Sequence, residues 1–216
     1  MTFTDDHRLY PFKSRWFKGA EGWLHYIDEG AGQPVVMLHG SPDWSFAYRE
    51  VIKKLKGAYR CLALDQLGFG RSAKPDQASY HPKAQTDRLE QWIKHLGLQQ
   101  ICFVVNDWGG PVAFAYTERH PEAVHSLVIM NTWAWPLKPY PAFLAFSWLM
   151  SGTTGQWLTG YFNVFSKVLV WLAVYQKRAF TGTTIHAYYQ KPYRRPADRI
   201  AQVAMPYYLT GASAWF

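Results

Sequence analysis

Residues 101–111 read Ile-Cys-Phe-Val-Val-Asn-Asp-Trp-Gly-Gly-Pro and run straight into Val112-Ala-Phe-Ala-Tyr-Thr-Glu118. Ile101 to Val105 is a short continuous apolar run, the pattern of a strand buried on both faces. From Val112 the apolar residues recur at helical spacing. A sharp turn must therefore join a buried strand to a helix within a few residues. Gly109 and Gly110 withdraw side chains where strand and helix crowd together, and Pro111 suits a first helical turn, where its missing N–H is not needed.

The turn presents Asp107 and Trp108. Its pattern matches a nucleophile elbow with aspartate in the position usually held by serine. At the start of a helix the free N–H groups and the macrodipole favour an ionised carboxylate, so Asp107 is expected to be charged and able to attack carbon. The plainer alternative is an aspartate that merely caps the helix. A carboxylate attacking an sp³ carbon expels a leaving group and forms an ester, whereas serine would acylate at a carbonyl. An alkyl electrophile is the expected substrate. The indole N–H of Trp108 donates a hydrogen bond but is no acid, which suits holding a departing halide; simple core packing is the alternative.

Working outward, apolar runs predict strands over Trp16 to Lys18, Trp23 to Asp28, Pro34 to Leu38, Arg60 to Leu64, Ile101 to Val105 and Ser126 to Met130. Helical spacing is present in Phe46 to Leu55, His81 to Leu96 and Val112 to Arg119, with Gly57, Gly97 and Pro121 as stops. The alternation predicts an α/β fold with a mostly parallel sheet and flanking helices. After Trp135 the strand rhythm ends. Residues 1–135 thus read as a core of six strands, and 136–216 as a helical cap with the start of a return to the core.

A second motif, Val35-Val-Met-Leu-His-Gly-Ser-Pro-Asp-Trp44, is a strand ending in a turn. Such a turn offers the Ser41 N–H to an oxyanion hole, paired with the N–H of Trp108. His39 reads as a turn residue that contributes its backbone and not its imidazole. Either isomer of the Ser41–Pro42 bond is compatible with the sequence. Asp65, in Asp65-Gln-Leu-Gly-Phe-Gly-Arg-Ser72, reads as a turn-stabilising residue.

Composition sets bounds. With 216 residues, 49% hydrophobic and 18% charged, the chain can bury one sizeable core. Its 18% aromatic residues suit an enclosed apolar cavity. The net charge of +8 is spread over scattered Lys and Arg with a small cluster at Lys191 to Arg195, which reads as a solvated surface and not a nucleic-acid interface. Cys61 and Cys102 lie in separate apolar runs, so neither disulfide nor metal site is expected, and no cofactor is implied. The start MTFTDDHRLYPF has no signal-peptide pattern, and Val168 to Tyr175 is too short to span a membrane and reads as a buried helix. A cytoplasmic setting is the expectation. The oligomeric state is not legible.

These residues resemble the haloalkane dehalogenases, of the α/β-hydrolase fold, through LYPFKSRWF, HYIDEG, HGSPDWSFAYR, LDQLGFGRSAKP, NDWGGPVAFA and SLVIMNTWAWP. Asn131-Thr-Trp133 is similar to the subfamily that carries no carboxylate after the sixth strand. The resemblance implies attack by Asp107 on the halogen-bearing carbon, halide held by Trp108 and a second donor, and hydrolysis of the ester by histidine-activated water. In that subfamily the second donor is an asparagine directly after His-Gly; here Ser41 stands there, leaving Trp133, Trp135, Trp148 or a cap residue as substitutes. The family's acid and base follow a seventh and eighth strand, which with their helices are expected to need a further segment of about 60 residues or more beyond Phe216. Of the other histidines, His120 and His125 belong to the far end of the sheet, and only His186 is topologically conceivable as a base. Single-turnover alkylation is the resulting expectation. Competing functions are β-lactone decarboxylation, epoxide hydrolysis using cap tyrosines among Tyr140, Tyr161, Tyr175, Tyr188 and Tyr189, and a non-catalytic binding remnant with an open sheet edge.

Overall fold

Six strands make one sheet: β1 (Arg15–Gly19), β2 (Gly22–Glu29), β3 (Pro34–Leu38), β4 (Arg60–Leu64), β5 (Ile101–Asn106) and β6 (Val124–Met130), in the order β1-β2-β4-β3-β5-β6. The structure is a computed structural model and describes residues 7–174 and 183–211. β1 and β2 are antiparallel, as are β2 and β4, whereas β4, β3, β5 and β6 pair in parallel. The expected bounds of β3 and β4 coincide with those observed; β6 starts two residues earlier than Ser126.

The apolar runs are buried because helices cover both faces of the central strands. Along β3 the side chains alternate: Val36 and Leu38 join one core with Leu64, Trp92, Phe103 and Val112, while Val35 and Met37 join another with Tyr10, Trp44, Phe46 and Ile52. Helix α1 (Arg49–Leu55) contributes to the second layer, and α2 (Pro82–Leu96) and α3 (Gly109–Arg119) build the first. Two helix expectations change at their starts. The segment expected as one helix from Phe46 opens with a 3₁₀ turn at Ser45–Tyr48, because Asp65 Oδ1 holds the Ser45 N–H at 2.7 Å and fixes the entry. Helix α3 starts at Gly109, ahead of Val112, so the elbow is tighter than the apolar periodicity indicates.

Beyond β6 come α4 (Pro141–Ser151), α5 (Thr153–Phe162), a π-helical turn (Phe165–Leu169) that runs into α6 (Val170–Ala173), then α7 (Thr184–Gln190) and α8 (Ile200–Gly211). Helices α4 and α8 lie against each other. Ser147 Oγ on α4 donates to the Pro206 carbonyl at 2.7 Å and lies 2.8 Å from Thr210 Oγ1. The expected buried helix from Val168 to Tyr175 is corrected: Val170 is buried, but Val168 and Leu172 are exposed, because a π turn rotates the apolar residues off a single face. Tyr175 lies outside the described residues. Among the described residues no helix is long and apolar enough to cross a membrane. Cys61 and Cys102 are both free thiols.

Candidate active site

The turn between β5 and α3 holds only Asp107 and Trp108. Asp107 has φ +49°, a left-handed backbone that costs a non-glycine residue about 1 kcal/mol or more. Three contacts hold it there. Its N–H donates to the Asn131 carbonyl at 3.1 Å, and its own carbonyl accepts from Gly110 N at 3.0 Å and from Thr132 Oγ1 at 2.6 Å. Close approach explains the glycines on both sides. A Cβ on Gly109 would overlap the Leu38 carbonyl, and a Cβ on Gly40 would overlap the Asp107 carboxyl itself.

That carboxyl meets the turn after β3. Ser41 N donates to Asp107 Oδ1 at 2.9 Å, and the N–H of Trp108 is a second donor to the carboxylate. Burial pushes the Asp107 carboxyl up to about 6 even though both N–H groups pull it down, so it remains mostly ionised at neutral pH. Asp107 lines a cavity of about 490 Å³. Ser41, Asp43, Asn106, Trp108 and Asn131 line the core side of this cavity, and Phe146, Phe165, Leu169, Tyr189 and Leu209 line it from beyond β6. The Ser41–Pro42 bond is cis, and Ser41 Oγ is buried with no hydrogen-bond partner among the described residues.

The tryptophans separate by position. Trp108 is buried against Trp133, ring to edge at 5.0 Å. Trp133 and Trp135 line a second cavity of about 330 Å³ that also reaches Asp107. Trp148 is 78% exposed and lines neither. Of the five cap tyrosines, Tyr189 lines the first cavity and Tyr140 the second; Tyr161 is exposed, Tyr188 stacks on Phe46 at 4.8 Å, and Tyr175 is outside the described residues.

No histidine lines either cavity among the described residues; His186 sits on α7 away from both. His39 corrects the backbone-only reading. Its Nδ1 donates to the Gly40 carbonyl at 2.8 Å while Nε2 accepts from Gln66 N at 3.0 Å, so a neutral imidazole ties the turn after β3 to the turn after β4. Burial holds this imidazole below its usual pKa, which keeps that tautomer. Asp65 is fully buried and serves turns. It accepts from Ser45 N, from Arg71 N at 2.9 Å and from His25 Nδ1 at 2.9 Å. Burial alone would raise its carboxyl, but His25, His39 and the Arg71 N–H hold it well below the usual range.

Asp43 is the residue that sequence reasoning passed over. It shares the cavity with Asp107, and its Oδ1 is buried with no partner among the described residues. Burial raises its carboxyl to about 7, the charge of Asp107 acting in the same direction and Arg49 against both. Its carbonyl accepts from Tyr193 OH at 3.1 Å, and that phenol also accepts from Gly70 N at 3.1 Å. The only signal in the sequence was an acidic residue two places after Ser41.

The family described as alpha/beta hydrolase fold matches residues 33–169. The chain is 39% identical over 170 residues to haloalkane dehalogenase 2 of Mycobacterium tuberculosis, covering 79% of this chain and 59% of that one. It is also 39% identical over 200 residues to cis-3-alkyl-4-alkyloxetan-2-one decarboxylase of Shewanella oneidensis, covering 89% and 61%. The chain thus spans about three fifths of the length of these relatives. Among solved structures, haloalkane dehalogenase DatA from Agrobacterium tumefaciens superposes with a TM-score of 0.78 at 25% identity, over 90% of this chain and 67% of that one. Haloalkane dehalogenase DbeA from Bradyrhizobium elkani shares the fold with a TM-score of 0.83 at 22% identity, over 94% and 74%. The chain belongs to the α/β-hydrolase fold family, and within it the resemblance is to haloalkane dehalogenases.

Proposed function

We propose that this chain cleaves the carbon–halogen bond of small apolar alkyl halides through an alkyl ester on Asp107. One observation carries the reading. A carboxylate that is ionised at neutral pH stands at a strained elbow, at the wall of a largely apolar cavity, with one oxygen already held by Ser41 N. That anchoring leaves the other oxygen for in-line attack on an sp³ carbon. The indole N–H of Trp108 and the unpartnered Ser41 hydroxyl are the donors for the departing halide. The Ser41 and Trp108 N–H groups that donate to the carboxylate serve as the oxyanion hole when the ester carbonyl is attacked. In this reading residues 1–135 supply the chemistry, and 136–216 cap the cavity and begin the return to the core.

Similarity to the oxetanone decarboxylase favours a second reading, a strained β-lactone as substrate for the same carboxylate. Epoxide opening is less supported, because among the described residues Tyr189 is the one cap tyrosine that lines the first cavity. Incubation with 1-bromobutane decides. The expected result is one equivalent of bromide and a butyl adduct mapped by mass spectrometry to Asp107, both lost in Asp107→Asn. Bromide from the Asn variant, or no adduct on the wild type, overturns the dehalogenase reading. Carbon dioxide and alkene from a cis-3,4-dialkyloxetan-2-one, without bromide release, select the second.

A further inference from the structure

Although the cations are scattered along the sequence, their charge is not shared evenly between core and cap. Residues 136–216 hold eight Lys or Arg and a single acidic residue, Asp198, so the segment beyond β6 carries +7 of the net +8. Asp198 is already bound by Arg195, Nη2 to Oδ1 at 2.8 Å.

Within this basic segment, α4 (PAFLAFSWLMS) and α5 (TTGQWLTGYF) have no charged residue. Helix α4 is apolar nearly all round, the pattern of a helix covered on every side, yet its buried residues are Ser147 and Met150 alone. Trp148 and Leu149 on α4 and Trp157, Tyr161 and Phe162 on α5 are each more than half exposed. The Trp157 ring lies 4.7 Å from that of Phe162 and 6.3 Å from that of Tyr161, and α4 packs against α5, so the exposed rings form one face. A contiguous aromatic face of this kind marks a surface that meets another apolar phase.

Directly after Phe162 the surface changes character. Asn163 opens a polar cleft of about 290 Å³, which Lys167, Lys191, Arg194 and Arg199 also line, with no carboxylate among its described residues. Arg199 uses its donors on backbone carbonyls, but its charge stays in the wall of the cleft. Lys191 lies over the Tyr188 ring at 4.5 Å, and Lys167 and Arg194 are exposed. Exposed aromatic rings bordered by such a cleft are what seats a protein on a bilayer: the rings enter the headgroup region while Lys and Arg meet lipid phosphates.

We propose that the α4–α5 face and the adjoining cleft dock this chain peripherally on an anionic phospholipid surface. A protein partner would have to supply an apolar hollow matched to these rings and acids matched to the cleft. A lipid surface supplies both without shape matching, and the +7 of the segment is drawn to it across about a Debye length, about 8–10 Å. The face also lies on the lid of the cavity. Helix α4 sends Phe146 to the cavity and Trp148 and Leu149 outward, and the π turn sends Phe165 and Leu169 to the cavity and Val168 outward. An apolar compound dissolved in the bilayer thus meets the elements that wall the cavity, although docking itself does not depend on the reaction at Asp107.

The test is co-sedimentation of the chain with two sets of vesicles, phosphatidylcholine alone and phosphatidylcholine with about 30% phosphatidylglycerol. The anionic set should bind the chain about tenfold more strongly or better. Raising salt from about 0.1 M to about 1 M, which shortens the Debye length from about 10 Å to about 3 Å, should remove most of that difference. Leu149→Gln, Trp157→Gln and Phe162→Gln combined should weaken binding to the anionic set by about tenfold or more, and so should Lys167→Gln with Arg194→Gln. All five side chains are exposed and none lines a cavity that reaches Asp107, so far-UV circular dichroism should match the wild type. Equal binding to both vesicle sets, or wild-type binding by either variant, overturns the proposal. Pelleting of the wild type without vesicles also overturns it, in favour of a second copy covering the face. If a variant fails to fold, the wild type decides through bilayer-embedded bromine labels, which should quench its tryptophan fluorescence in anionic vesicles. Binding without quenching overturns the proposal, because charge alone would then hold the chain.

Discussion

Single atoms decide this site, and Gly40 shows it most clearly. A methyl group there would occupy the volume of the Asp107 carboxyl, whose backbone is pinned by Asn131 and Thr132 and cannot yield. Gly40→Ala should therefore displace the carboxylate from Ser41 N, lower the bromide burst rate by about tenfold and destabilise the fold by about 1–3 kcal/mol, the range for overpacking. Stopped-flow halide detection and urea melts check both, and a variant with wild-type burst kinetics would show that the turn relaxes freely. Asp107 and Ser41 were legible in the sequence because a buried strand and a helix bracket a turn too short to hide its side chains. Asp43 was not, since the direction of its side chain depends on how the backbone leaves Ser41–Pro42, which no periodicity encodes. The His39 imidazole was missed for a related reason: its acceptor nitrogen meets Gln66, a residue that only the crossover between β3 and β4 brings alongside.

At the level of elements, legibility follows burial on two sides. β3, β4 and β5 lie between helical layers, so their runs are apolar throughout and their bounds read to within a residue. The segment beyond β6 reads poorly because its helices are short, one is π-helical, and their aromatic residues face the cavity, the core and solvent in turn. What joins these helices is polar and non-local. Arg199, 5% exposed, donates to the carbonyls of Gly160 and Tyr161 at the end of α5 and to those of Tyr193 and Arg194 before α8. One planar fork thus satisfies carbonyls of α5 and of the segment leading into α8. Arg199→Met would strand these carbonyls and should cost about 2–4 kcal/mol. Arg199→Lys should lose nearly as much, because an ammonium cannot span the same four acceptors. Urea denaturation of the two variants tests this, and full rescue by lysine would mean that charge alone suffices.

Across the whole molecule, the α/β topology was legible from the alternation of runs, and an open sheet edge lined by apolar residues was part of the binding-remnant expectation. Leu127, Val128, Ile129 and Met130 are 36–56% exposed at this edge of the sheet. The electrostatics of the site act on global stability as well. Asp43 and Asp107 have native pKa values raised from 3.8 to about 7 and about 6, so the folded chain keeps protons that the unfolded chain has already released. Their contribution to stability is complete below about pH 4 and is lost as pH rises through about 6 and 7. Asp65 works in the opposite direction: its depressed carboxyl contributes above about pH 4 and loses that contribution on acidification. His39, buried and neutral, likewise contributes at higher pH and loses it as pH falls through its lowered value. Subtracting the stability of Asp43→Asn from that of the wild type cancels the Asp65 and His39 contributions and isolates residue 43. Below about pH 4 that residue is protonated both folded and unfolded, and the amide is a close isostere, so the two proteins should melt alike in urea there; at pH 5 the unfolded carboxyl is already ionised and the variant should be the more stable. At pH 8 the wild type carries a second negative charge in the cavity, and the variant's advantage should exceed that at pH 5 by on the order of 2 kcal/mol, a figure reduced for the part of Asp43 open to the cavity. Stability curves that stay parallel from pH 5 to 8 would mean that Asp43 holds no proton in the native state over that range.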